Sequence, residues 1–451
     1  MSSLHLRRIR CGTPGATEQL HQLRTQLSAS GNVVSPRGQA LTLEVFGEAL
    51  SPPRVVERIC EDVRTRGREA LFYYTEKFDR TQLTPETLGI STQELSEAHA
   101  AIDPALLDTI RRVRQNILSF QLGVLHRDAV LSVAGKHELR LRYRPMRRVG
   151  VLVPGGAAAY PSTLLMTIVP AQAAGVKELA VVMPPTPFGA GNKTLLAVCH
   201  ELGVQEVYRV GGAQAVAALA YGVEGMPGVD MIVGPGNLFV ALAKRHVYGQ
   251  VAIDCIAGPS EVVVLADHTA PAHFVAADLL AQAEHSPGAS ILITWHEPLI
   301  EAVAAEVEKQ LGQLSRADLT REALEQFAAL VLARDEAEAV ALTNQIGPEH
   351  LEIISDHDEQ LCDRIDNAGA IFLGAYSPVA VGDYAAGPSH VLPTGGTARF
   401  TSGLSACDFL RRNSVIRCTA EGLANLSDDV VRLAEVEGLT AHAASVTIRR
   451  I

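Results

Sequence analysis

VGVLVPGGAAAYPST, residues 149–163, reads as a short apolar run that ends in a glycine turn and opens onto a helix. A run of this length, buried on both faces, suits a strand of a parallel sheet, and glycines let the backbone turn sharply out of it. Similar runs recur at ELAVVMP (178–184), VYRVGG (207–212), DMIVGP (230–235) and VAIDC (251–255), with amphipathic segments between them. Such alternation predicts one doubly wound α/β domain over residues 149–255.

The alternation resumes with EVVVLAD (261–267), SILITW (290–295), ALVLA (329–333), LEIIS (351–355) and GAIFLG (369–374), separated by helix-like segments such as 271–285. A second open sheet is expected there. No strong sequence repeat links the two halves, so any duplication is one of architecture. Upstream, Val55, Ile59 and Val63, then Ile110, Val113 and Ile117, recur at helical spacing, which predicts a helical layer from Pro53 to about Phe120. Residues 1–50, with Gly31, Pro36, Gly38 and Gly47, show weak periodicity and read as an arm. From about Gly403 the periodicity is mixed and ends in the helix-like LTAHAASV (439–446), a stretch too small for a core of its own that must dock elsewhere.

Composition narrows the function classes. At 451 residues with 47% hydrophobic and only 5% aromatic content, the chain can bury two sizeable cores packed through small and branched side chains. Its net charge of -11 offers phosphate backbones no long-range attraction, so nucleic acid is not expected as a partner. The one basic cluster, Arg140, Arg142, Arg144, Arg147 and Arg148, alternates with Leu141, Tyr143 and Met146 as the solvent face of a strand would. Seven scattered cysteines without C-x-x-C suit reduced thiols of a cytoplasmic protein. MSSLHLRRIR at the start lacks the apolar core of a signal peptide, and no run approaches membrane-spanning length.

Candidate chemistry lies at the junctions. There is no G-x-G-x-x-G; instead PGGAAAYPST, GGAQA (211–215) and GPGN (234–237) follow successive strands. Glycines there either simply end strands or aim helix N-terminal amides at an anion in a shared crevice. Gln214 and Asn237 are the amides placed to touch a cofactor in that crevice. Gln282 and His285, at i and i+3, share one face of a helix's last turn, where a His is either a metal ligand or satisfied by the helix dipole. Asp383 and His390 sit in the glycine-rich GDYAAGPSH, and His442 follows Glu437 by five residues. Nitrogen and oxygen donors from Gln, His, Asp and His would suit a catalytic zinc. In NQIGPEHLEI, Glu349 adjoins His350 at the start of an apolar strand; the pair is either a polar surface turn or a carboxylate and imidazole set for proton transfer. Ser260 lies in a Gly-Pro-Ser turn without a G-x-S-x-G elbow and reads as a substrate- or backbone-bonding hydroxyl.

Taken in order, VPGG, GGAQA, GPGN, AGPSEV, DLLAQAEH, GPEHLEI, GDYA.GPSHVLPT, ARF.SGL and EGLTAH resemble the histidinol dehydrogenase family from near the N-terminus to residue 442 or beyond. The resemblance implies two NAD-dependent oxidations of L-histidinol to L-histidine through a retained aldehyde, as the last steps of histidine biosynthesis, on a homodimer with zinc in each site. It implies Gln282, His285, Asp383 and His442 as zinc ligands, and Glu349 and His350 as the catalytic pair. Ser260, His390 and Glu437 would contact the substrate beside His350 and the zinc ligands, and Gln214 and Asn237 the NAD. The expected fold is α/β, with two doubly wound, incomplete Rossmann-like domains, a helical N-terminal region and a tail that docks on a partner subunit. The expected domains are an arm (1–50), a discontinuous zinc-carrying and catalytic domain (51–148 and 256–402), an NAD-binding domain (149–255) and a swapped tail (403–451). Where some family members carry Tyr before the Pro-Gly-Gly turn, this chain has Leu152, which bears on cofactor affinity; Tyr160 is the aromatic that could take that place. A zinc- and NAD-dependent relative acting on another small alcohol, such as a sulfonated diol, is the alternative.

Overall fold

Alternate residues of the opening run part onto two faces: Val149, Val151 and Val153 enter one buried apolar cluster and Leu152 another. In the computed structural model, which describes residues 4–27, 36–133, 136–156, 158–285 and 288–450, this run is a central strand. Gly31, and Ala157 of the glycine turn, lie outside the described residues. The arm supplies β1 (Arg7–Arg10); β2 (Ala129–Val133) and β3 (His137–Pro145) follow the helical region. The first predicted sheet consists of β4 (Arg148–Leu152), β5 (Glu178–Val182), β6 (Glu206–Tyr208), β7 (Met231–Val233) and β8 (Ala252–Ile253). The second contains β9 (Ser260–Ala266), β10 (Gly288–Thr294), β11 (Ala329–Leu332), β12 (His350–Ile354) and β13 (Ala370–Leu373), and β14 (Leu410–Cys418) begins the tail.

The first sheet runs β6-β5-β4-β7-β8, and all its pairings are parallel. The second runs β1-β11-β10-β9-β12-β13, also parallel throughout. Leaving β1 aside, both follow one plan: the first strand sits centrally, the next two extend to one side and the last two to the other. The duplication is therefore one of lateral order as well as of alternation. Each plan has a switch point beside its first strand, where connections diverge and a crevice opens at the strands' carboxyl ends.

Two expectations change here. The helices Pro52–Arg66 and Arg68–Asp79 bury Val55, Ile59, Leu71 and Tyr74 in the apolar cluster on one face of the first sheet, chiefly on its crossover helices, and Pro104–Val124 buries Ile110 and Ile117 in the cluster on the other face. The helical region thus covers the domain it was expected to leave alone, adding an outer layer to the crossover helices that already sit on both apolar faces of this sheet. Arg148 is the second change: instead of facing solvent it is 2% exposed, with two hydrogen bonds of 2.6 Å to Glu206. Arg140, Arg142 and Arg144 lie on β3, in the small antiparallel sheet β14-β3-β2. That sheet leads into the tail helices Ala420–Val436 and Thr440–Thr447, the first of which the mixed periodicity did not announce. Among the described residues no helix is long and apolar enough to cross a membrane.

Candidate active site

The crevice of the first sheet is a cavity of about 610 Å³, walled by Pro154, Gly155 and Gly156 after β4, Gly211–Gln214 after β6, and Pro235–Asn237 after β7. The three glycine turns singled out in the sequence therefore do converge. Gly212 has φ +69°, and a side chain there would meet the Gln214 carboxamide at 2.6 Å, so the turn accepts only glycine. Gln214 lies in the cavity lining, 1% exposed, with its amide 3.5 Å from Asp79, whose carboxyl burial pushes up to about 6. Asn237 also lines the cavity, but its carboxamide oxygen caps the helix Leu238–Val247 by accepting from the Phe239 and Val240 N–H groups. Only its amide nitrogen is left to meet a ligand. Leu152 and Tyr160 both line the cleft.

A second cavity of about 440 Å³ adjoins the first, sharing Pro154, Tyr160, Pro235, Gly236, Asn237 and His285 with it. It holds Ser260, Glu349, His350, Asp383 and His390. The location departs from a simple strand-end rule. Ser260 and His350 are the first residues of β9 and β12, so this cavity meets the amino ends of the second sheet and faces the carboxyl ends of the first.

Glu349 is almost fully buried and firmly held: its Oε2 accepts from the Ser260 hydroxyl at 2.6 Å and from the Glu261 N–H at 2.9 Å. Ser260, expected to bond substrate or backbone, thus spends its proton on Glu349. Burial raises the Glu349 carboxyl against the lowering pull of His350 and these two donors. His350 Nδ1–H donates to the Glu261 carbonyl at 3.2 Å, which keeps that proton on Nδ1. Its Nε2 is 3.4 Å from Asp383 Oδ1 but makes no aligned hydrogen bond. Burial alone would lower this imidazole; the charges of Glu349 and Asp383 overcome it and push it up to about 9. His390 turns Nδ1 to the Asp383 carbonyl at 3.0 Å and is held below its ordinary value, chiefly by burial.

The metal-type donors converge only in part. Gln282 ends the helix Ala272–Ala283 and His285 follows two residues beyond it, tied back by its N–H to the Gln282 carbonyl at 3.2 Å. Gln282 is 3% exposed and its side-chain nitrogen has no partner, the mark of a carboxamide turned toward something other than protein. Asp383, on the short helix Val379–Tyr384 instead of in a loop, has its charge opposed by burial but stabilised by His350, His390 and His285. Among the described residues no group of three or more His, Cys, Asp and Glu side chains is arranged as a metal site. Of the expected donors, His285 and Asp383 line this cavity, whereas the buried Gln282 does not, which leaves two of a four-ligand shell on its wall. His442 and Glu437 are exposed on the tail and do not line either cavity of this chain.

Glu261 was not singled out by the motifs, although a charge heading the apolar run EVVVLAD was the available signal. Its carbonyl orients His350, its N–H holds Glu349, and its own carboxyl, 1% exposed, accepts from the Gly395 N–H at 3.0 Å. Burial and then the charge of Glu349 push that carboxyl up to about 8, so it stands neutral at pH 7.

A nucleotide-type cleft at a switch point, opening onto a buried carboxylate–imidazole pair, defines a dehydrogenase of the doubly wound α/β class. The model of the histidinol dehydrogenase family matches residues 49–450, and the chain belongs to that family. It is 59% identical over 434 residues to the histidinol dehydrogenase of Rhodopirellula baltica, covering 96% of this chain and 94% of that protein. The Geobacillus kaustophilus histidinol dehydrogenase is 47% identical, with 88% and 93% covered. The crystal structure of histidinol dehydrogenase from Elizabethkingia anophelis superposes with a TM-score of 0.88 at 32% identity, covering 100% of this chain and 99% of that one.

Proposed function

We propose that the chain oxidises L-histidinol to L-histidine through L-histidinaldehyde, in two successive hydride transfers to NAD, as a cytoplasmic homodimer with zinc in each site. The observation that carries this reading is the asymmetric support of the Glu349–His350 pair beside a dinucleotide-type cleft. With Nδ1–H donated to the Glu261 carbonyl, His350 turns Nε2 to the cavity. Raised to about 9, the imidazole is mostly protonated at pH 7, so taking the alcohol proton as hydride leaves the same carbon needs the neutral form, whose share grows toward alkaline pH. The carboxylates around it favour the imidazolium that results. In the second half Glu349 takes a proton from the water that adds to the aldehyde carbon, and the hydrate then loses the second hydride.

The Gln282 carboxamide oxygen, with His285 and Asp383, would hold zinc, and the partner subunit's His442 would complete the shell. Zinc bound there would supply a Lewis acid to hold the substrate's nitrogen donors. Ser260, His390 and the partner subunit's Glu437 would contact the substrate, while Gln214 and the Asn237 amide nitrogen would contact NAD. The test is NADH absorbance on adding L-histidinol to zinc-loaded protein. Turnover of another small alcohol but not of L-histidinol would overturn the substrate assignment.

A further inference from the structure

Lys244 and Asp254 form an ion pair inside the first domain, each side chain only 2% exposed, and neither belongs to the site described above. Lys244 lies on the helix Leu238–Val247 and Asp254 directly follows β8, so the two approach from different elements. Between them lies Gly234, the first residue of the GPGN turn. Lys244 Nζ donates to the Gly234 carbonyl at 3.0 Å, and the Gly234 N–H donates to Asp254 Oδ2 at 2.7 Å. Asp254 Oδ1 also accepts from the Cys255 N–H at 2.7 Å. On its third side Gly234 presses on β4: it has φ +110°, and a side chain there would stand 2.3 Å from the Leu152 carbonyl oxygen.

A buried ion pair often stabilises a fold no more than apolar residues of the same volume would, so its contribution is sought in the geometry it enforces. Here that geometry is the height of one turn. Pro235, Gly236 and Asn237, which follow Gly234, line both cavities, so the turn forms part of the boundary between the dinucleotide-type cleft and the cavity of Glu349 and His350. We propose that Lys244 and Asp254 are positioning residues for the nicotinamide end of NAD, acting by clamping the Gly234 backbone. The proposal rests on the NAD-dependent reading above. Hydride transfer demands close, aligned approach, so a small shift of this wall reduces the rate without removing a catalytic group.

The test compares wild type with Lys244→Met/Asp254→Asn, which removes both charges together and leaves neither buried alone. The expected result is a folded, zinc-containing protein with kcat/KM for NAD reduced about tenfold or more. Affinities for L-histidinol and for ADP-ribose, which lacks the nicotinamide, should stay within about twofold of wild type. Lys244→Gln/Asp254→Asn, which keeps a donor for the Gly234 carbonyl and an acceptor for its N–H without a buried charge, should show the same split at smaller amplitude and serves if the first double variant does not fold. Wild-type NAD kinetics in either folded variant, or equal loss of all three ligands, would overturn the clamp. Failure of wild type itself to reduce NAD with any alcohol would instead overturn the NAD reading, and the clamp with it.

Discussion

Glu349 and His350 adjoin in the chain yet lean on different groups, and on the proposed function the difference divides their work. Glu349 Oε2 already accepts two hydrogen bonds, so a water must meet the other oxygen. For Glu349→Gln we expect aldehyde oxidation to slow by about 10²-fold or more while alcohol oxidation keeps most of its rate. Single-turnover NADH formation from each substrate supplied separately measures this, and equal loss in both halves would contradict the role. His350→Asn should reduce the alcohol half by about 10²–10⁴-fold with zinc content unchanged, as metal analysis of the same sample would check. Adjacency made this pair visible in the sequence, but its supports were not: Ser260 and Glu261 lie 89 and 88 residues from Glu349. No local spacing reports that β9 and β12 are neighbours, and only that pairing turns a carbonyl and an amide of one strand toward the pair on the next.

The helix that carries Gln282 and the strand that carries His350 meet at a second, buried contact. Glu352, two residues along β12, has both carboxylate oxygens buried without a donor, and Asp278 on the helix is the charged group beside it. Burial, then the charge of Asp278, holds Glu352 well above the ordinary carboxyl range. Above that ordinary range the unfolded chain releases this proton while the folded chain retains it, so this contact lowers stability as pH rises. Glu352→Gln supplies a permanent donor to Asp278 and removes the dependence. We expect the variant to melt about 1–3 °C higher than wild type at pH 8 and to lose that advantage near pH 4. Calorimetry at the two pH values decides, and a difference independent of pH would exclude a protonated Glu352. At this scale the sequence was most legible: each apolar run named in it forms a strand, since a strand buried on both faces needs a continuous apolar run. Lateral order was not legible, because periodicity describes the faces of an element and not its neighbours. For the same reason the helices between residues 52 and 124 were assigned to the wrong sheet: an amphipathic helix fits either apolar face.

On the proposed function, the tail is where one chain falls short of a complete active site. Its helices pack on each other, yet Leu433, Val436 and Ile448 are 63%, 82% and 80% exposed, and Val130, Leu131 and Ile416 on the adjoining sheet β14-β3-β2 are 62%, 66% and 70% exposed. Apolar surface of this kind is costly in water and suits burial against another chain. The proposed donor set of Gln282, His285 and Asp383 lacks a fourth member, while His442 stands exposed on the same tail. Both shortfalls are removed together if two chains exchange tails, an isologous arrangement in which each completes the other's site. Subunit mixing tests this directly. His350→Asn alone and His442→Ala alone should each be nearly inactive, the first for want of a base and the second for want of a zinc ligand. In a mixed dimer, the subunit with intact His350 receives an intact tail from its partner, so one of the two sites becomes whole. Random reassortment makes about half the dimers mixed, so unfolding and refolding the two variants together should restore about a quarter of wild-type activity. A tail that folded back onto its own chain would leave every site defective, and the mixture would stay as inactive as its parts.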